Sequence, residues 1–131
     1  MKIVILGYTG SIGASVLKRL AKNNSFNIIC VGRKNTEILI KNKKIKYLKW
    51  DFRSFEGSKL SFLRQANTII NCTGKTNNDF GNLEYINTIF IKKLIKYINK
   101  HKFKIRIVHL SSVSVYGQNT NFKNKHKIFT E

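Results

Sequence analysis

The chain has 131 residues, of which 42% are hydrophobic, enough for one substantial core but not for two ordinary domains. No run of about 18 apolar residues could span a membrane. The first apolar segment, from Ile3 to Leu6, is shorter than the roughly 7 to 15 residues of a signal-peptide core. We therefore expect a cytoplasmic protein that does not bind a membrane.

The charge is strongly basic, because 25 Lys and Arg residues against 6 Asp and Glu residues give a formal net charge of +19. Such an excess is typical of proteins that bind nucleic acid. Here the Lys residues are spread along a chain that is also rich in Asn and Ile and has no Pro. This pattern favours a compositional bias, with nucleic-acid binding as the less favoured alternative.

Short apolar runs rich in β-branched residues recur along the chain, each long enough for a strand that is buried in a parallel sheet. They predict five strands, at Lys2–Leu6, Asn27–Val31, Ile45–Trp50, Thr68–Cys72 and Ile105–Leu110.

Apolar residues at helical spacing predict two amphipathic helices between these strands, over Ser11–Lys22 and Leu83–Asn99. Two shorter segments, Thr36–Lys41 and Gly57–Gln65, are less regular and could be single helical turns or loops. The alternation predicts an α/β fold with a doubly wound, Rossmann-like parallel sheet in the order 3-2-1-4-5. We expect one domain over residues 1–117 and a polar loop or tail over residues 118–131.

The sequence offers no metal site. Cys30 and Cys72 lie in apolar runs without a Cys-x-x-Cys pattern, which predicts buried thiols and neither a disulfide framework nor a zinc site. His101, His109 and His126 share no metal-ligand spacing.

Three glycines spaced as Gly-x-x-Gly-x-x-Gly follow the first strand and open the first helix. At such a turn Gly7 lets the chain reverse tightly, Gly10 lets the backbone approach a pyrophosphate, and Gly13 lets the helix pack closely on the strand. The backbone N–H groups of Ser11 and Ile12, at the positive end of the helix dipole, would hold the phosphates. We include Thr9 among these dinucleotide-binding residues. The alternative interpretation of the segment is a tight turn that binds no ligand.

Cations follow the second strand, where NAD enzymes of this fold carry an Asp or Glu that binds the adenosine ribose. Arg33 and Lys34 suit a 2′-phosphate instead, which favours NADP over NAD, with NAD as the alternative. Both could also be ordinary surface cations.

The glycine spacing, together with Ser111-Ser112-Val113-Ser114-Val115-Tyr116-Gly117 after the fifth strand, resembles the extended short-chain dehydrogenase/reductase family of NAD(P)-dependent epimerases and dehydratases. The resemblance covers Met1 to about Gly117 and implies the N-terminal Rossmann part of that fold, without its C-terminal part. Two positions depart from the family pattern, because Leu6 stands where Thr is frequent and Tyr8 where Gly is frequent.

The resemblance also implies further cofactor contacts. Asp51, followed by Phe52, matches an Asp that contacts the adenine amine, although it could be a solvated turn residue. Asn87 matches an Asn of the long helix, and both it and Asn71 could instead cap or satisfy backbone groups. A small-residue stretch after the fourth strand, and the first Ser after the fifth, complete the set: Asn71, Cys72, Thr73, Gly74 and Ser111.

Ser112 matches the family's catalytic Ser, which orients the substrate while a Tyr, activated by a Lys four residues later, transfers the proton. No Tyr of the chain has a Lys four positions later; the five are Tyr8, Tyr47, Tyr85, Tyr97 and Tyr116. The resemblance therefore implies a fragment, a truncated gene product or a function that does not need this chemistry.

We expect the cofactor-binding part of an NAD(P)-dependent nucleotide-sugar epimerase, dehydratase or reductase, which binds the dinucleotide weakly and is inactive alone. The full enzyme would take a nucleotide-sugar and could form a dimer. The alternative is a non-enzymatic NAD(P)-binding sensor or regulatory module.

Overall fold

Five parallel strands form one sheet in the computed structural model, which describes residues 1–33, 39–74 and 83–111. The order is β3-β2-β1-β4-β5, so the predicted 3-2-1-4-5 sheet is confirmed. The strands lie close to the predicted runs, at β1 Lys2–Leu6, β2 Asn27–Gly32, β3 Ile45–Lys49, β4 Thr68–Asn71 and β5 Arg106–His109. No helix among the described residues is long and apolar enough to cross a membrane.

The strands at the centre of the sheet are the most apolar. In β1, which lies between β2 and β4, all four residues from Ile3 to Leu6 are buried, because their side chains alternate into the cores on the two faces of the sheet. The two edge strands are exposed instead, with Val108 of β5 and Leu48 of β3 exposed to 45% and 37%. The burial of a strand thus depends on its position in the sheet, as expected for a parallel sheet.

Two helices cover the sheet from opposite faces. Helix α1, Ser11–Leu20, ends two residues before its predicted limit, and its Leu17 is fully buried. The predicted helix over Leu83–Asn99 is helical from Leu83, with a π-helical segment at Tyr85–Ile89 followed by α2 at Phe90–Lys100. A 3-10 helix occupies Gly57–Gln65. Of the other short segment, residues 39–41 are not helical and residues 36–38 lie outside the described residues.

An aromatic cluster forms the core between the sheet and α2. The rings of Trp50 and Phe90 lie 5.4 Å apart, and that of Phe52 lies 5.3 Å from each, all in edge-to-face contacts. The Trp50 indole N–H also donates a hydrogen bond to the Ser54 carbonyl at 3.2 Å, so the polar atom of the largest ring is satisfied.

A second core lies under α1, on the other face of the sheet, where Leu17 packs with Ile3, Ile5 and Cys30. Burial raises the pKa of the Cys30 thiol to about 12, and it also raises the pKa of the half-buried Cys72. Both cysteines are free; Cys30 is buried as predicted, whereas Cys72 is only partly buried. The described residues contain no cluster of His, Cys, Asp and Glu that could hold a metal ion.

The aromatic core predicts a large stability difference between two positions of α2. Phe90→Ala removes a fully buried ring and should lower the free energy of unfolding by about 3–5 kcal/mol. Ile95→Ala, on the exposed face of the same helix at 40% exposure, should cost less than about 1 kcal/mol. Urea unfolding followed by circular dichroism measures both, and equal losses would contradict this assignment of the core.

Candidate functional site

The register of the sheet lines up the points at which four strands end. Leu6 of β1 pairs with Val31 of β2 and with Asn71 of β4, so the residues that follow these strands lie side by side. β3 joins the row because the Trp50 N–H donates to the Gly32 carbonyl at 2.9 Å. Most of the predicted cofactor residues are thereby brought to one edge of the sheet, where ligands of such folds bind.

Gly7 is the pivot of the glycine turn. Its φ of +79° is a backbone conformation that side chains disfavour, and its N–H donates to the Val31 carbonyl at 2.9 Å. A Cβ on Gly7 would lie 3.0 Å from the carbonyl oxygen of Cys72 and 3.0 Å from the backbone nitrogen of Thr73. The turn is therefore held between β2 and the loop that follows β4.

The other two glycines differ in the space around them. A Cβ on Gly13 would lie 2.2 Å from the Gly7 carbonyl oxygen, so the start of α1 packs against the turn backbone. At Gly10 a Cβ would meet only the same oxygen at 3.5 Å, an ordinary contact, and Gly10 is exposed. Gly13 thus has a packing role, whereas the side of Gly10 that faces solvent is open.

The first amides of α1 point into this open space. The chain enters the helix with hydrogen bonds from Gly10 N–H to the Gly7 carbonyl and from Ala14 N–H to the Gly10 carbonyl. No described residue accepts a hydrogen bond from the N–H of Ser11 or Ile12, both of which are exposed. Two donors at the positive end of a helix dipole can bind an anion. Thr9, beside them, is also exposed.

Tyr8 and Gly32 form a contact that the sequence did not predict. The Tyr8 ring is 1% exposed, and a Cβ on Gly32 would lie 2.9 Å from its Cε1 atom. The ring also packs on Tyr47 at 5.2 Å between centroids, and the Tyr47 hydroxyl bonds to the backbone of Ile40. A glycine that ends an apolar strand was the available signal for this close approach.

Asp51 lies among cations. Arg53 donates from Nε and Nη2 to the carboxylate at 2.5–3.0 Å, a bidentate pair that was not predicted. These hydrogen bonds lower the pKa of Asp51, and the charge of Arg33 lowers it further, so the carboxyl is ionised. Arg33 itself is exposed at the end of β2. The buried Phe52 ring belongs to the aromatic core, which leaves only its backbone for any ligand.

Asn71 is fully buried and fixes the loop after β4. Its Oδ1 accepts from the Thr73 N–H at 3.1 Å and from the Thr73 hydroxyl at 2.6 Å. Its Nδ2 lies 3.0 Å from Nδ1 of His109 at the end of β5. Because Oδ1 faces two donors, the amide orientation is determined, and the His109 Nδ1 accepts the bond.

The remaining predicted residues are less connected. The exposed Gly74 has the Asn87 Oδ1 as its nearest neighbour, 3.9 Å from where its Cβ would be, and Ser111 is exposed after β5. Lys34 and Ser112 lie outside the described residues.

Residues 3–130 match the model of the NAD dependent epimerase/dehydratase family. Comparison with the sequences of curated proteins gave no match.

Several solved structures share the fold. UDP-glucuronic acid 4-epimerase from Bacillus cereus, in complex with NAD, superposes with a TM-score of 0.73 at 23% identity, over 92% of this chain and 43% of that one. The oxidoreductase ylbE from Lactococcus lactis gives 0.69 at 25% identity, over 87% and 49%. Uronate dehydrogenase from Agrobacterium tumefaciens gives 0.68 at 17% identity, over 85% and 40%. The chain therefore spans less than half the length of these proteins.

The glycine contacts predict opposite outcomes for two similar substitutions. Gly13→Ala places a methyl group against the Gly7 carbonyl and should lower the free energy of unfolding by about 1–3 kcal/mol, despite the better helix propensity of Ala. Gly10→Ala meets no close atom and should cost less than about 1 kcal/mol. Thermal and urea unfolding of both variants provide the comparison; a larger loss for Gly10→Ala would contradict the packing described.

The buried amide predicts a graded loss at the β4 loop. Asn71→Ala leaves the Thr73 N–H and hydroxyl without their acceptor, and should cost about 1–3 kcal/mol. Thr73→Val removes only the hydroxyl bond and should cost about 0.5–1.5 kcal/mol. Urea unfolding should rank the two variants in this order, and a neutral Asn71→Ala variant would show that the network does not hold the loop.

Proposed function

Because the chain belongs to the NAD-dependent epimerase/dehydratase family, we propose that it is the cofactor-binding part of an enzyme that epimerises, dehydrates or reduces a nucleotide-sugar. The observation that carries this proposal is the pair of Ser11 and Ile12 amides, which have no acceptor among the described residues and lie above a glycine turn that is closed by backbone packing at Gly13. The epimerase among the solved structures that share the fold has also been crystallised with UDP-glucuronic acid and NAD, which supports the choice of substrate class.

The pyrophosphate would lie at the start of α1. The N–H groups of Ser11 and Ile12 would donate to its oxygens, and the exposed Thr9 could add its hydroxyl. A phosphate needs to approach the backbone closely, and Gly10 leaves the space for it, since no side chain stands there. Gly7 and Gly13 hold the turn in place and would not themselves contact the ligand.

The adenosine would lie beside the ends of β2 and β3, where we propose that cations select NADP over NAD. Arg33 can bind a 2′-phosphate through its fork of N–H groups, and Lys34 would add a second charge. Asp51 has lone pairs beyond those that Arg53 uses, so its carboxylate could still accept from the adenine amine. Phe52 would contact the adenosine through its backbone.

The other half of the dinucleotide would run along the loop after β4. Asn71 acts there as a positioning residue, since it holds Thr73 by two hydrogen bonds while Cys72 packs against Gly7. Cys72, Thr73 and Gly74 would line the cofactor, and Ser111 would lie at its far end. When bound, the nicotinamide supplies hydride transfer.

Ser112 would orient the reacting hydroxyl or carbonyl of the sugar by a hydrogen bond. Proton transfer needs a further acid–base group, which the family takes from a Tyr followed by a Lys four positions later, and the 131 residues contain no such pair. We therefore expect this chain to bind the cofactor without turnover.

Calorimetric titration with NADPH and NADH tests the cofactor assignment. Gly10→Ala should weaken both ligands alike, because its methyl group enters the pyrophosphate space. Arg33→Ala should weaken NADPH about 10- to 100-fold, the equivalent of one charge-assisted interaction, and should leave NADH unchanged. Arg19→Ala, an exposed cation in the last turn of α1, is the matched control and should change neither.

The outcomes separate the parts of this proposal. The absence of binding of either dinucleotide at millimolar concentration would overturn the cofactor function. Equal affinity for the two, unaffected by Arg33→Ala, would overturn only the preference for NADP.

A further inference from the structure

A basic groove of about 600 Å³ lies on the sheet face that carries the aromatic core, between edge strand β3 and the 3-10 helix. Lys46 and Lys49 of β3 and Arg64 of the 3-10 helix line its sides, while Leu48 and Phe62 contribute apolar surface between them. None of its lining residues belongs to the proposed dinucleotide site. The groove is a separate feature of the molecule.

The groove exists because the 3-10 helix covers only part of the sheet. That helix buries Leu60 and Leu63 in the core, whereas Phe62 stays half-buried and packs edge-on against Trp50 at 6.5 Å. Side chains alternate along β3, so Lys46 and Leu48 share one face of the edge strand. Lys49, the exposed last residue of β3, alternates to the other face and borders the groove at its rim. Within the described residues no helix covers that face, and Leu48 remains 37% exposed.

The charges around the groove are of one sign. Five Lys and Arg residues line it, and of the described residues that line it none is acidic. Two of the five already have partners, since Lys2 bonds to Gln65 and Lys59 pairs with Glu56. Lys46, Lys49 and Arg64 are exposed and have no hydrogen-bond or ion-pair partner among the described residues. The fold thus gathers cations that are scattered along the sequence.

We propose that the basic groove binds single-stranded nucleic acid, with phosphates at the three unpartnered cations and an unstacked base on the apolar surface between them. A single strand combines one negative charge per nucleotide with a flat apolar face, the pattern that this groove complements. Aromatic side chains such as Phe62 accept bases without regard to sequence, and Leu48 extends the apolar surface beside the ring.

Other occupants fit less well. A second copy of the chain carries the same net charge of +19, and its approach would be repelled. In a duplex the bases are stacked and paired, so they could not reach Leu48 or Phe62. An acidic peptide would neutralise the cations, but its short carboxylate side chains would leave the apolar surface uncovered.

Fluorescence anisotropy with fluorescein-labelled oligouridylate and oligothymidylate of 20 nucleotides tests the proposal on the 131-residue chain. The groove variant is Lys46→Ala, Lys49→Ala and Arg64→Ala. The matched control, Lys92→Ala, Lys96→Ala and Lys100→Ala, removes the same charge from the exposed side of α2. All six side chains are exposed, and circular dichroism checks that both variants stay folded.

The groove variant should bind at least about 10-fold more weakly than the unmodified chain, and the control less than about 3-fold. The slope of log affinity against log salt should fall by about 2 for the groove variant, since each contact to a single strand contributes about 0.7.

Equal losses of affinity for the two variants would overturn the groove assignment, because binding would then depend only on the overall charge of the chain. Displacement of the oligonucleotide by polyglutamate at equal charge concentration, or equally tight binding of a 20-base-pair duplex, would overturn the choice of a single strand. Saturating NADPH should leave the anisotropy unchanged, and so should Gly10→Ala, so failure of the cofactor proposal is distinguishable from failure of this one.

Discussion

The contact between the start of α1, at Gly13, and the Gly7 carbonyl determines the arrangement at the carboxyl ends of the strands. There is no room for a side chain at Gly13, and Gly7 is itself held by Val31 on one side and by the Cys72–Thr73 backbone on the other. One helix and three strands therefore meet in backbone-to-backbone packing. Such packing holds the Ser11 and Ile12 amides in one orientation, and a dinucleotide bound there as proposed would meet a preorganised site with a low entropy cost of binding.

The local balance of charge differs between the carboxyl ends of the strands and the basic groove. At the strand ends the ionised Asp51 pairs with Arg53 and also interacts with the charge of Arg33, so part of the local positive charge is neutralised within the protein. At the basic groove no carboxylate in the described part of the chain pairs with Lys46 or Lys49. The first arrangement suits a ligand with one or two phosphates, whereas the second leaves repulsion that a longer anion would relieve.

Much of the fold could be predicted from the sequence because burial sets the pattern of the strands. The β1 and β2 runs are continuous because both of their faces are covered, and the glycine spacing marks the turn that follows β1. The pairing of Asp51 with Arg53 and of Asn71 with His109 could not be predicted, since such bonds depend on the strand register and on rotamers. The π-helical segment at Tyr85–Ile89 likewise leaves the apolar periodicity of its helix almost unchanged.

The tyrosine at the second position of the glycine turn makes two distant positions of the sequence interdependent. The Tyr8 ring fills the space that a side chain at position 32 would occupy, so Gly32 is required only while the ring is present. In evolution a larger residue at position 32 becomes tolerable after Tyr8 has been replaced by a small residue. If position 32 changes first, its side chain clashes with the Tyr8 ring. Homologues should therefore covary at these two sites, with bulk at one accompanied by glycine at the other.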